Sequence, residues 1–217
     1  ILYFNASITG FPGGAKMWSY NPSTNTNVQL PETRATLADA PSNLLNFNGT
    51  LYYVSTNPAS FRKLYKYNPS VGTPVQVPET RTDGSDLPMS LTPLNNKLYY
   101  TSIDPAGLRR LFVYNPDINT NTLITIHSSG VENPTSLTAL GNNLFFLANN
   151  SSGAIKLHRY NEQTQTVTTL PQHNGTTTSD SITDLTALDN SLYYISTAAG
   201  VSNLYRYNII TSQRTVV

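Results

Sequence analysis

Leu51-Tyr52-Tyr53 returns as Leu98-Tyr99-Tyr100, Leu144-Phe145-Phe146 and Leu192-Tyr193-Tyr194, and Leu2-Tyr3-Phe4 opens the chain. The leucines step by 49, 47, 46 and 48 residues. A second marker, Tyr-Asn, stands at Tyr20, Tyr67, Tyr114, Tyr160 and Tyr207, with steps of 47, 47, 46 and 47. Two separate markers that keep one period identify an internal repeat, each copy of which is one supersecondary unit.

Around the Leu-Tyr-Tyr anchor each period divides into four short runs. In one copy these are Ser90–Leu94, Leu98–Ser102, Leu111–Asn115 and Thr122–Ile126, separated by Asn95-Asn96, a longer loop and an Asn-Pro turn. Aromatic and β-branched runs of this length, bounded by Asn, Gly and Pro, read as strands and hairpins. No segment sustains a 3.6-residue apolar period, so essentially no helix is expected. In Leu-Tyr-Tyr, neighbours that point to opposite faces are both large and apolar, as a sheet covered on both sides requires. The expected fold is all-β, a β-propeller of four-stranded antiparallel blades, with a sandwich as the second choice. The blades fall near 1–30, 40–77, 87–126, 133–170 and 181–217, in a single domain over 1–217 that is read as a portion of a longer chain because Ile1 lies mid-pattern. Five repeats are visible. The inner strand recurs only near 43–47, 89–94, 135–140 and 183–188, so the first blade lacks it.

Composition narrows the function classes. Charged residues are 12% of the 217, and 13 basic against 12 acidic side chains leave a net charge of +1. A nucleic-acid binder concentrates basic charge, so none is expected as a partner. The longest apolar run is Leu144–Ala148, too short for a membrane span, which needs about 20 residues. Without cysteine there are no disulfides and no thiolate metal sites or nucleophiles. Serine, threonine and asparagine number 21, 29 and 24, a polar balance suited to an extracellular or cell-surface location.

Leu91-Thr92, Leu98-Tyr99-Tyr100 and Leu111-Phe112, with Gly72-Thr73 after a third strand, resemble the ELWxxDGT-type propeller repeats of secreted and surface-anchored bacterial proteins, with a kelch-like third strand. The resemblance covers nearly the whole chain. The family's acid before Leu-Trp is here basic, at Lys16, Lys63, Arg110 and Lys156, and its Asp-Gly-Thr turn is replaced by Asn-Pro at Asn21-Pro22, Asn68-Pro69 and Asn115-Pro116. The resemblance implies an extracellular setting and no defined catalytic residues.

Candidate site residues follow the repeat. Asp39, Asp86, Glu132 and Asp180 each precede an inner strand, at spacings of 47, 46 and 48. They read either as a collar of carboxylates for a cation or polar ligand, or as turn caps paired with Lys16, Lys63, Arg110 and Lys156 in exposed ion pairs worth about 0–1 kcal/mol each. Phe11 and Phe61 are the aromatics left in loops, and Phe61 aligns with Leu108 as a recurring apolar position, read as ligand contact or as cover for the gap between blades. His158 takes the place of Trp18, Tyr65, Phe112 and Tyr205 and reads as packing, whereas His127 and His173 enter long loops and do not recur. Asp117-Ile118-Asn119-Thr120-Asn121 begins like a calcium loop but lacks its glycine and closing glutamate. No cofactor, metal site or catalytic constellation is called for.

The connections after second and fourth strands are long and unlike one another: Thr56–Lys63, Ile103–Arg110, Pro31–Ala40, Pro78–Leu87 and Pro171–Ser181. In a propeller both classes emerge on one end, and variable loops on a rigid scaffold carry recognition. The expected function is therefore a non-enzymatic binding, interaction or structural module. Its partner would be a protein, a surface polymer or another copy of itself. A lectin with repeated inter-blade sites is the alternative, and a hydrolase or lyase using His127 or His173 at the channel mouth is the third.

Overall fold

The asparagine of each Tyr-Asn marker shapes a hairpin. Asn21, Asn68, Asn115, Asn161 and Asn208 each accept, at Oδ1, the backbone N–H of a residue two or three positions on. Such Asx turns replace lost ladder bonds with a local one. Asn25, Asn119, Gln165 and Ser212 then take left-handed backbone conformations, near φ 52–54°, to close four of these turns. The inner hairpins turn on two residues, as at Asn48-Gly49, with φ of 50° and 74°. That geometry matches the right-handed twist of paired strands.

In the computed structural model, residues 1–7, 14–34, 38–128, 130–171 and 173–217 are described. Blade 1 comprises β1 (Leu2–Ser7), β2 (Ala15–Asn21) and β3 (Thr26–Gln29); blade 2 comprises β4 (Ser42–Phe47), β5 (Thr50–Thr56), β6 (Arg62–Tyr67) and β7 (Pro74–Gln76). Blade 3 contains β8 (Met89–Leu94), β9 (Lys97–Ile103), β10 (Arg109–Asn115) and β11 (Thr120–Ile124). Blade 4 contains β12 (Thr135–Leu140), β13 (Asn143–Asn149), β14 (Ile155–Asn161) and β15 (Thr166–Thr169). Blade 5 contains β16 (Ile182–Leu188), β17 (Ser191–Ala198), β18 (Val201–Asn208) and β19 (Gln213–Val216). Each blade is a separate antiparallel sheet in chain order, of three strands in blade 1 and four in the others, and no helix occurs among the described residues. This is the β-propeller blade, and among the described residues blade 1 lacks the inner strand, as the repeat count requires. In blade 3 the fourth strand ends at Ile124 rather than Ile126, because the N–H of Ile126 is drawn out of the ladder to Glu132 Oε1 at 2.9 Å.

The inner strands are bulged at one repeat position. Register breaks between Ser42 and Leu45, Thr135 and Thr138, and Thr183 and Thr186. Asn43, Ser90, Ser136 and Asp184 adopt φ of 53–56° at the corresponding places. A bulge adds a residue to one strand and increases its twist.

The described residues form two compact units, Ile1–Met89 with Ser102–Ala106, and Ser90–Thr101 with Gly107–Val217. In the first unit Met17 and Leu30 of blade 1 pack on Leu51, Tyr53, Tyr65 and Tyr67 of blade 2. In the second, the two faces of β13 serve different neighbours. Leu144, Phe146 and Ala148 join Leu94, Tyr99, Leu111 and Ile124 of blade 3, while Phe145 and Leu147 join Leu192, Tyr194 and Tyr207 of blade 5. The doubly apolar Leu-Phe-Phe run is thus buried on both sides. None of the fourteen tyrosines is exposed.

Second and third strands stack an aromatic pair in each of four blades. Tyr53 lies on Tyr65, Tyr100 on Phe112, Phe146 on His158 and Tyr194 on Tyr205, with centroids 5.6–6.1 Å apart and planes within 16–26°. His158 therefore substitutes for a packing ring. Its burial pushes its pKa down to about 4, so the ring is neutral at physiological pH.

Candidate functional site

The long connections are held together by one device built four times. A cation at the start of the third strand, the carboxylate before the next inner strand and the backbone of the loop between them form a latch. In the first, Lys16 Nζ lies 3.5 Å from Asp39 Oδ1 and 3.2 Å from Glu32. The second sets Lys63 Nζ 2.8 Å from Asp86 and 2.6 Å from Glu79, and Nζ also donates to the carbonyl of Arg81. In the third, Arg110 is 3.1 Å from Glu132. In the fourth, Lys156 is 2.7 Å from Asp180 and donates to the carbonyls of Thr178 and Gly175.

Each carboxylate also gathers the turn that leads to it. Asp39 Oδ2 accepts the N–H of Thr33, and Asp86 Oδ2 that of Thr80. Glu132 Oε1 accepts Ile126 N–H, and Asp180 Oδ1 accepts the N–H groups of His173 and Asn174. A side chain from the same turn then crosses to the end of the following second strand. Thr33 Oγ1 donates to the carbonyl of Thr56, Thr80 Oγ1 to that of Ile103, and Asn174 Nδ2 to that of Thr197. His127 Nε2 does the same toward the carbonyl of Asn149, at 2.9 Å. The latch is completed by Ser55, Ser102 and Ser196, whose Oγ atoms donate to the carbonyls of Asp39, Asp86 and Asp180. In the third latch this hydroxyl position is Ala148.

The three lysine pairs are buried, not exposed, and in the remaining pair Glu132 is buried while Arg110 is half-buried. Lys63 and Lys156 are at most 1% accessible and the four acids at most 4%. The sequence expectation of weak surface pairs fails because the connecting loops cross over them, and no sequence pattern reports that cover. Burial raises the pKa of Asp39 and Asp86, and the facing lysines and the N–H groups of Thr33 and Thr80 pull it back. Desolvation and pairing oppose each other, as in any buried ion pair. A ligand arriving from solvent meets the loops rather than these carboxylates. Among the described residues no three His, Asp or Glu side chains cluster as a metal site.

Phe61 is half-buried and lies over Lys63, with Nζ 5.8 Å from the ring centroid, so it covers a latch. Leu108 is also half-buried. Phe11 lies outside the described residues. The loops carrying Phe61 and Leu108 are less varied than their sequences suggest. Asn57 and Asn150 accept the N–H of Phe61 and Ala154 respectively, four residues on, and Ser60, Gly107 and Gly153 share a left-handed φ of 67–80°. Blade 5 replaces this loop by the short turn Ala199-Gly200.

His173 packs edge-on against both rings of the stacked Tyr194–Tyr205 pair, its ring centroid 4.3 Å from that of Tyr205. Arg214 Nη1 lies 3.1 Å from His173 Nε2 and is anchored on the carbonyl of Pro171. Burial and that neighbouring cation lower the pKa of His173. The ring is thus a neutral acceptor already engaged by an arginine. Sequence reasoning missed Arg214, which has no counterpart motif to signal it. It also missed Pro31-Glu32-Thr33-Arg34 and Pro78-Glu79-Thr80-Arg81, a repeated tetrapeptide that supplies the second acid and the turn threonine to the first two latches. Asp117–Asn119 lie in the blade 3 hairpin turn and Thr120-Asn121 begin β11, with Asn119 Oδ1 accepting from the Tyr114 hydroxyl at 2.7 Å.

Both classes of long loop lie on one end of the blades within each unit. Arg62 N–H donates to Ser85, Arg34 to Ser60, and Asn150 to the carbonyl of Thr176. Among the described residues no helix is long and apolar enough to cross a membrane.

No family model matches the sequence, and no curated protein matches it either. Solved structures do. TolB from Acinetobacter baumannii is similar over 95% of this chain and 49% of its own, at 15% identity and a TM-score of 0.56. A prolyl endopeptidase from a study of two such enzymes is similar over 99% of this chain and 33% of its own, at 13% identity and a TM-score of 0.67. A putative TolB from Agrobacterium tumefaciens is similar over 93% and 73%, at 11% identity and a TM-score of 0.56. The chain thus spans about half of the first of these proteins and a third of the second. What it shares with them is the β-propeller fold.

Proposed function

We propose that this chain is a non-enzymatic binding module of an extracellular, cell-surface or cell-envelope protein. It presents the long-loop end of its blades to a protein or surface polymer. The observation that carries this reading is the latch, which clamps every fourth-to-first-strand loop it serves against its neighbour. A surface held in place before contact loses little conformational entropy on binding. The ionisable groups that recur at this end are occupied in holding the loops, which leaves the varied tips, such as Asp83 and Val131, for contact. The low charge and abundant small polar residues fit an exposed setting, as does the resemblance of the repeat to surface-protein propellers.

Site-specific photo-crosslinking in the native cell tests this. A photoreactive residue replacing Asp83, on the long-loop end, is expected to capture a partner. The same residue replacing Ser70, in the turn at the opposite end, is expected to capture none. Adducts from Ser70 alone would reverse the assignment of the face.

A further inference from the structure

Between blades 3 and 4, inside the second unit, lies a cleft of about 350 Å³. It opens at the short-turn end, bordered by Lys97 at the start of β9 and by Gln165 in the β14–β15 turn. Its volume falls in the range of small-molecule sites, about 300–1,000 Å³. A repeat protein carries its own control, because positions that only build the fold recur and positions that do something else depart.

Three departures meet here. Val113 lines the cleft, and its register opposite Thr122 matches that of Lys66 opposite Val75, Arg159 opposite Thr168 and Arg206 opposite Thr215. Blade 1 has Ser19 opposite Val28 there, so blades 1 and 3 carry a short side chain where the other three place a long cation, and beside Val113 the space that chain would fill is open. Lys97 stands where the other second strands begin with Thr50, Asn143 and Ser191. Glu162 follows its Tyr-Asn pair where Pro22, Pro69, Pro116 and Ile209 follow theirs. Lys97 Nζ is 3.0 Å from Glu162 Oε1, and Asn95 Nδ2 donates to Glu162 Oε2. The floor is the Tyr99–Tyr160 pair, with ring centroids 5.8 Å apart.

We propose that this cleft binds one neutral saccharide residue. The lysine and glutamate balance each other, so the wall offers no net charge to select an ion. The Asn115 and Gln165 amides and the Thr122 hydroxyl supply both donors and acceptors, the complement of a polyol. Val113, Leu123 and Val167, above the buried tyrosine pair, supply an apolar surface for the C–H face of a sugar. A lipophilic ligand would strand those polar groups. The junction of blades 4 and 5 carries Arg159, Asn143 and Ile209 at the matching positions, so the cleft is not repeated there. This site lies at the other end from the long loops and is independent of the partner-binding reading.

The test is saturation-transfer NMR with glucose, galactose, mannose and N-acetylglucosamine, followed by calorimetric titration of any that bind. The expected result is a saccharide bound at one site per chain. Val113→Arg, which installs the residue native to blades 4 and 5, is expected to weaken binding by at least about tenfold, or 1.4 kcal/mol, with an unchanged melting temperature. If that variant does not fold, Thr122→Trp blocks the mouth from an exposed position and is expected to have the same effect. Failure of all four sugars to bind, or binding that survives the filled cleft, would overturn the proposal.

Discussion

At the scale of single residues, the molecule's charge chemistry faces inward. Lys156 is fully buried and its ammonium is held by one carboxylate and two carbonyls. Removing one partner of such a pair strands the other charge in a poorly solvated site, which costs about 3–5 kcal/mol. Lys156→Met should therefore lower the denaturation free energy by about that amount. In a double-mutant cycle, Asp180→Asn should cost much less when Lys156→Met is already in place than it does alone; equal costs in both backgrounds would show that the two groups are not coupled.

His158 makes a prediction in pH. Its native pKa is near 4 and its unfolded pKa near 6.5, so the unfolded chain takes up the proton first on acidification. The contribution is complete above pH 6.5 and is lost as pH falls toward 4, a change of about 3 kcal/mol. Asp39 and Asp86, with raised native pKa values, act in the opposite direction, so the clean measurement is a difference. His158→Phe, which restores the aromatic of Phe112, should flatten the fall in melting temperature between pH 6.5 and 4. An unaltered profile would place the acid sensitivity elsewhere.

At the scale of the element, the repeat predicts which positions are filled below their optimum. Ala148 occupies the place of Ser55, Ser102 and Ser196, and the Glu132 carbonyl lacks the hydroxyl donor its counterparts have. Ala148→Ser should add one buried hydrogen bond and stabilise by about 0.5–1.5 kcal/mol, read from chemical denaturation. Leu87 sits at φ 46°, a left-handed conformation that its β-carbon disfavours, where the third loop has Asn133 at the same angle. Leu87→Asn should gain about 0.5–1 kcal/mol by relieving that strain.

Matched strand positions also separate burial from residue type. Leu157 and Leu204 are repeat equivalents, but Leu157 is packed against blade 5 while Leu204 is 42% exposed on the outer face of that blade. Leu157→Ala should cost about 2–5 kcal/mol and Leu204→Ala well under 1. Similar losses at both would mean that an unseen cover lies over the blade 5 face.

At the scale of the whole molecule, a surface with few charges and latches shielded by loops implies weak dependence on ionic strength. Buried pairs are screened far less than exposed ones. Raising NaCl from 0.05 to 1 M should shift the melting temperature by less than about 3 °C. A larger shift would mean that the latches open to solvent. The likeness to TolB and to the propeller of a prolyl endopeptidase at 11–15% identity has the same origin as the internal repeat. Many sequences satisfy a blade that is apolar on both faces and turned by asparagine.

Period, strand number and face assignment were all written in the order of residues, because they rest on local rules: side chains alternate along a strand, asparagine closes turns, and a sheet apolar on both faces must be covered twice. The aromatic role of His158 was legible for the same reason, since its neighbours in the repeat named it. The burial of Asp39, Asp86, Glu132 and Asp180, the engagement of His127 and His173, and the open space beside Val113 were decided only when loops some 16–24 residues apart in sequence came together. Burial and cavities belong to pairs of segments, and their energies depend on what lies across the gap, which a single strand's pattern does not encode.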